Sequence, residues 1–159
     1  MGVRSITPPR VSFYDMNRPT AELEVVVGDE DFARLLAFRD GLRRFLQWSE
    51  AQARQAGLTP SRHQLLLAIR GHPGQPSIAD VAEHLAVRHH SATELIDRAA
   101  RAGLVRRVVD DEDHRVVRLL LTDEGETRLA GLAAAHLEEL SRLRSRFEAL
   151  WTDLPRPPT

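Results

Sequence analysis

The chain has no cysteine, which excludes disulfides, cysteine-ligated zinc and direct thiol-based oxidant sensing. Lysine is absent as well, so all 22 basic residues are arginines. Aromatic residues make up only 5 %. No apolar run approaches the length needed to span a membrane, and the amino terminus lacks the hydrophobic core of a signal peptide. A cytoplasmic protein without membrane contact is therefore expected. The net charge of −1 supplies no global field of either sign. What remains is an ordinary globular composition, 42 % hydrophobic and 28 % charged over 159 residues. That length suits one domain, or a small domain plus an oligomerisation element.

The rest of the chain is organised around residues 77–122. Ser77, with Asp80 three residues on, forms a capping box. It opens a helix in which Ile78, Val81, Ala82 and Leu85 share one face. After a corner at Ala86-Val87, Ala92, Leu95, Ile96, Ala99 and Ala102 recur at helical spacing until Gly103 stops the helix. Two apolar runs, Leu104–Val109 and Val116–Leu121, flank an acidic tip at Asp110–Asp113 and predict a hairpin. Two helices joined by a short turn can place the second in a DNA major groove, with the hairpin beside it as a wing. Residues 88–118 hold seven arginines against six carboxylates. DNA affinity would then have to come from local geometry and not from net charge.

Residues 1–28 are expected to form an irregular arm, either a frayed terminus or a segment that crosses to a partner subunit. The second reading rests on Phe13-Tyr14 and the run Leu23-x-Val25-Val26-Val27. A helix over 29–56 carries a broad apolar band (Phe32, Leu35, Leu36, Phe38, Leu42, Phe45, Leu46), wide enough for more than one neighbour. Thr59-Pro60 caps the next helix, which is apolar nearly all round and so central. A final helix over 123–150 carries Leu129, Ala133, His136, Leu140, Leu143, Phe147 and Leu150 in heptad steps, with His136 expected to bond across the seam. At 1.5 Å per residue it is roughly 40 Å long, longer than a lone wing domain covers. With 29–56 it makes a plausible homodimer interface; packing within one chain is the alternative.

The residues Leu95-Ile96-Asp97-Arg98, Ala102-Gly103-Leu104-Val105 and Asp110-x-x-Asp113-x-Arg115-x-x-x-Leu119-x-Leu121-Thr122-x-x-Gly125 resemble the MarR family of bacterial winged-helix transcription regulators. The resemblance covers about residues 30–150 and is most specific around the wing. It implies a mainly α fold with a small β-wing: a winged helix-turn-helix domain plus a helical dimerisation region. A homodimer on double-stranded, pseudo-palindromic DNA is implied, acting as a repressor released by a small aromatic or anionic effector. The family usually has a further carboxy-terminal dimerisation helix. Here only a short tail, 151–159, ends the chain, so the arm at 1–28 is expected to compensate.

At the exposed start of the second helix, Arg88, His89, His90, Ser91 and Thr93 can reach bases or phosphates. The competing reading is a solvated start with Ser91 and Glu94 as a second capping box. The resemblance implies that Arg115 enters a minor groove, with Asp113 aiming its guanidinium; the alternative is a plain surface ion pair. Arg98, Arg106, Arg107 and Arg118 are phosphate contacts or braces of Asp97, Asp110 and Asp111. Arg44, Trp48, His63 and Arg70 are candidates for an effector pocket, against Trp48 in the core and His63 on the surface.

Seven histidines raise a metal-responsive regulator, but His84, His89 and His90 have no helical ligand spacing. No metal site or cofactor is expected. Ser61 with His63 and His90 with Ser91 lack an oxyanion loop or nucleophile elbow, so an enzyme is not expected. The remaining alternative is a winged-helix protein–protein module that does not bind DNA.

Overall fold

Helix boundaries in this chain are set by a few capping residues, and those boundaries position everything else. The computed structural model describes residues 28–151. The arm at 1–27 and the tail after Trp151 lie outside the described residues, and with them the expectation that the arm compensates for a missing helix. Five helices and one hairpin follow in the order α1 (Asp29–Gln55), α2 (Pro60–Gly71), α3 (Ile78–His84), α4 (His89–Arg101), β1 (Val105–Val109), β2 (Val117–Leu121) and α5 (Asp123–Trp151). The fold is mainly α with a small β-wing.

Three helices end in the same way. After α1, Leu58 N–H donates to Ala53 O (2.9 Å) and Gly57 N–H to Arg54 O (3.0 Å), with Gly57 at φ +73°. After α4 the pattern repeats at Gly103 (φ +71°). Both are Schellman closures, in which glycine takes the left-handed conformation without steric cost. The third sits in the α3–α4 turn, where Val87 N–H donates to Ala82 O (3.0 Å). There Ala86 holds φ +51° without glycine's freedom. The starts match the expected caps at Thr59 and Ser77, whose side chains accept from Arg62 and Asp80 amides.

The start of α4 departs from one expected alternative. Arg88 occupies the N-cap without a side-chain bond, so Ser91 already lies within the helix. Glu94 faces Arg98 at 3.7 Å and closes no capping box.

The core gathers Leu65, Leu66 and Ile69 of α2, Val81 of α3, Ile96 and Ala99 of α4, Leu119 of β2, and Leu129 and Leu132 of α5. α2 is central as expected, with Leu67 its one large exposed apolar residue. β1 and β2 pair antiparallel with Val105 opposite Leu121. Where β2 passes into α5, Thr122 N–H donates to Leu104 O (3.1 Å). A Cβ on Gly125 would stand 2.2 Å from that same oxygen. The glycine of the Leu-Thr-x-x-Gly motif is therefore required by a close approach of helix to strand.

α1 and α5 run antiparallel, with Phe38 against Phe147 (6.0 Å between rings) and Trp48 against His136 (4.9 Å). The heptad seam divides. Leu129 and Leu132 enter the core, whereas Leu137 is 68 % exposed and Leu140 46 %. Both ring nitrogens of His136 bond inside its own chain. Its Nδ1 meets Leu132 O at 2.7 Å and its Nε2 meets Ser49 Oγ at 2.7 Å. A carbonyl only accepts, so Nδ1 carries the proton, and in the neutral ring the Ser49 hydroxyl donates to Nε2. His63 of α2 lies 4.8 Å from the same ring and is only 4 % exposed. The surface placement considered for it is thus replaced by a buried junction of α1, α2 and α5. Phe45, Trp48 and Ser49 supply its α1 side, His136 its α5 side.

Gly125→Ala is expected to destabilise the fold by about 1–3 kcal/mol through forced repacking. Gly131 has nothing within 4 Å of an added carbon, so Gly131→Ala should stabilise by roughly 0.5–1 kcal/mol. Urea unfolding of both variants checks this; equal effects would contradict the close approach. A second expectation concerns pH. Burial, and after it the charge on His136, hold the His63 imidazole below its ordinary value. The unfolded chain then binds more protons, so this contribution is complete above about pH 6.5 and is lost as pH falls below it. Thermal midpoints measured across that range should decline with acid in the wild type and decline less in His63→Gln. Identical slopes would remove His63 as the cause.

Candidate nucleic-acid interface

The buried face of α4 decides what its other face presents. Ala92, Ile96 and Ala99 are buried, and a helix that buries this face turns the opposite side outward. His90, Glu94, Arg98 and Arg101 form that exposed stripe, with Arg88 and His89 exposed at its head. Ser91 and Thr93 are half-buried on its flanks. The Thr93 hydroxyl donates to His89 O (3.0 Å), which leaves its oxygen able to accept. Arg101 completes the stripe although sequence reasoning passed over it as a contact. Its spacing, three after Arg98 and eleven after His90, is the signal that marks it.

The wing displays one arginine far from the core. Asp110 Oδ1 accepts from the amides of Glu112 and Asp113, each at 2.9 Å, and so shapes the tip. Asp113 Oδ1 in turn accepts from the amide and Nε of Arg115, each at 3.1 Å. The Arg115 side chain is 91 % exposed. Its carboxylate partner holds it at the base while the outer edge of the guanidinium stays open to solvent. The geometry has the form expected of an aimed cation, and the exposed pair by itself contributes only ~0–1 kcal/mol to stability.

The remaining arginines separate into braces and outward groups. Arg107 on β1 reaches Asp97 of α4 (2.7 Å), tying hairpin to helix. Arg118 on β2 donates through Nε to Asp110 (2.5 Å). That bond, followed by the two tip amides, pulls the Asp110 carboxyl down to about 2. Arg98 pairs with Glu94 along its own helix. Among the described residues, no ion pair engages Arg88, Arg101 or Arg106.

The four proposed effector residues do not come together. Trp48 stacks near Phe45 (5.9 Å) and, with Arg44, lines an open groove of about 790 Å³ between α1 and α5. Arg146 and Phe147 line its other wall; their spacing from Glu139 and Leu143 on one face of α5 is the signal that could have found them. His63 does not line this groove and meets the His136 ring beside it. Arg70 lies elsewhere: it pairs with Glu126 near the start of α5 (3.2 Å) and is well exposed. Among the described residues no group of three or more His, Asp or Glu side chains is placed to hold a metal ion. No described helix is long and apolar enough to cross a membrane.

Comparison with known proteins agrees with this geometry. A model of the MarR family matches residues 56–116, from the end of α1 through α2, α3, α4, β1 and the wing tip, stopping before β2. The HTH-type transcriptional repressor MdtR of Bacillus subtilis (strain 168) is 29 % identical over 89 residues, 56 % of this chain and 57 % of that protein. The match thus spans little more than half the relative's length. Among solved structures, a MarR family protein from Bacillus stearothermophilus superposes with a TM-score of 0.65 at 22 % identity, covering 74 % of this chain and 81 % of the other. A mutant of MepR from S. aureus bound to an oligodeoxyribonucleotide gives 0.59 at 22 % identity over 72 % and 82 %. These structural likenesses establish the shared fold. Together with the MarR family match over residues 56–116, they show that this chain is similar to MarR family proteins and shares their winged-helix fold.

Proposed function

We propose that the protein is a DNA-binding transcription regulator of the repressor type, acting in the cytoplasm as a homodimer. The observation that carries the reading is the pairing of the exposed α4 stripe with a wing arginine that Asp113 aims outward. Arg88, His89, His90, Ser91 and Thr93 would meet one major groove, and Arg115 the flanking minor groove. The oligodeoxyribonucleotide in the MepR structure supports this for a related fold.

The homodimer reading rests on apolar surface. Phe32, Leu35, Leu36 and Leu46 on α1 and Leu137 on α5 are each more than half exposed. Surface of this size and character is costly in water and is usually covered. The arm at 1–28 would cover part of it on the partner subunit. Two copies then present two α4 helices to half-sites ~34–36 Å apart on one DNA face.

The groove beside Trp48 fits a small aromatic or anionic effector. Asp40 and Glu139 on its walls are engaged by Arg43 (3.0 Å) and Arg142 (3.6 Å), so Arg44 and Arg146 set its charge. Binding there would change the spacing of the two recognition helices and release DNA.

Fluorescence anisotropy against DNA upstream of the protein's own gene, with random duplex as control, tests the reading. A Kd near ~10⁻⁸ M or tighter is expected, with preference over random DNA and weakening as salt rises. Failure to select any duplex from a random pool would turn the assignment to a protein–protein module, which the net charge of −1 favours. Arg115→Ala should cost roughly 1–3 kcal/mol of binding, most on A·T-rich flanks; equal loss on every flank would make it a plain phosphate contact. Light scattering should give the mass of a dimer. Removal of residues 1–24 should weaken it, and an unchanged tight dimer would dismiss the arm's role.

A further inference from the structure

The wing of this chain is linked to the helix-turn-helix by a side chain as well as by its backbone. At the near end, the α2–α3 connection runs alongside β2: Leu119 N–H donates to Pro76 O (2.9 Å), and Ser77 forms a single antiparallel bridge with Arg118. Ser77 is also the N-cap of α3, closed by Asp80, which accepts from the Ser77 amide and hydroxyl at 2.8 Å each. At the far end stands the Asp110 turn, whose carboxylate holds two tip amides. Asp113, three residues on, holds Arg115.

Arg118 spans the two ends. Its Nε donates to Asp110 Oδ2 (2.5 Å) while Nη1 of the same guanidinium donates to Gln75 O (3.3 Å). Its side chain is 31 % exposed and that of Asp110 16 %, so the pair is more sheltered than the Arg115 clamp. A planar guanidinium with several fixed donors can satisfy both acceptors at once; a lysine ammonium on a flexible stem would not hold them in the same register.

We propose that Arg118 and Asp110 are positioning residues for DNA binding: the guanidinium fork fixes the wing tip, and so the reach of Arg115, against the loop that starts α3. The inference rests on the DNA-binding reading of the same site and assigns Arg118 a role other than touching DNA. Without the fork, the hairpin keeps its backbone ladder but its tip turn loses the anchor to Gln75. Arg115 then remains aimed by Asp113 on a tip that is no longer held over the groove.

A double-mutant cycle against Arg115 tests this, because residues acting through one another are not additive. Arg118→Met, Arg118→Lys and Asp110→Asn would be made alone and in an Arg115→Ala background. Affinity would be measured on duplexes with A·T-rich and G·C-rich flanks at several salt concentrations, and folding followed by urea midpoints. Asp110→Asn still presents an oxygen to the tip amides and removes the charge that holds Arg118. We expect each single variant to weaken A·T-flanked binding roughly tenfold, with little change on G·C flanks and none of the three adding to Arg115→Ala. Arg118→Lys should behave as Arg118→Met despite keeping its charge.

If Arg118 instead contacts a phosphate, Asp110→Asn would free it and leave binding unchanged or tighter. Arg118→Met would then lower the salt slope by about one and would add fully to Arg115→Ala. Either result overturns the proposal. Should Arg118→Met prove too unstable to assay, Arg118→Lys and Asp110→Asn carry the same contrast. A wild-type protein that binds no duplex would refute the DNA reading itself. A wild type that binds, with variants that bind equally well, would refute only the positioning role.

Discussion

The Leu104 carbonyl is the point on which the arrangement of this molecule turns. It accepts from the Thr122 amide at 3.1 Å, while Gly125 approaches so closely that a methyl group would overlap it. The residue before Leu104 is the left-handed Gly103 that ends α4, and its carbonyl accepts from the Thr122 hydroxyl at 2.5 Å. The same hydroxyl oxygen then accepts from Gly125 N–H (3.1 Å) and caps α5. Four elements, α4, β1, β2 and α5, are thus joined through the backbone of two adjacent residues. The one side chain that bonds in the joint is that of Thr122, whose hydroxyl bridges Gly103 O and Gly125 N–H. A backbone joint of this kind leaves α5 one direction of departure, and that direction carries the helix to α1 and α2 at His136.

Charge is handled locally across the proposed interface. A carboxylate near DNA repels unless it is occupied, and between α4 and the wing most are: Glu94 with Arg98, Asp97 with Arg107, Asp110 with Arg118 and Asp113 with Arg115. Each pair neutralises an acid and orients a guanidinium. A net charge of −1 is consequently a poor guide to the field at this face. The exclusive use of arginine fits the same scheme, since a planar fork can grip a carboxylate and still offer donors outward.

Much of this was legible in the sequence because it depends on local rules. Thr59-Pro60, Ser77-x-x-Asp80, Gly57 and Gly103 mark boundaries that the backbone cannot ignore, and two β-branched and leucine-rich runs on either side of an Asp cluster specify a hairpin. The clamp of Asp113 on Arg115 was readable for the same reason, being two residues apart. What escaped depends on tertiary register. Nothing in the spacing of α5 says that His136 turns inward to Ser49 and His63 while Leu137 and Leu140 face out. Nor does the sequence of α2 separate His63, which turns into that junction, from Arg70, which turns out to Glu126. Arg118 presented a choice between phosphate and brace that only the position of Gln75, 43 residues earlier, resolves into a fork.

The His136 junction and the Leu104 joint lie on one helix, and this bears on how a ligand between α1 and α5 would be felt at α4. A straight helix transmits displacement along its axis because each turn is held by several hydrogen bonds. If α5 shifts against α1 near Trp48, the motion must be absorbed either at the His136 junction or beyond it. The junction is poorly suited to absorb it: both nitrogens of His136 are committed at 2.7 Å, and a displaced Ser49 would leave a buried hydroxyl unsatisfied. At the other end Gly125 has no clearance from Leu104. With both contacts tight, any shift under the proposed switch would have to pivot at the Ser49–His136 bond and carry α5, the wing and the end of α4 together. The separation of two recognition helices in a dimer would then follow the α1–α5 angle directly, without a chain of intervening side-chain rearrangements.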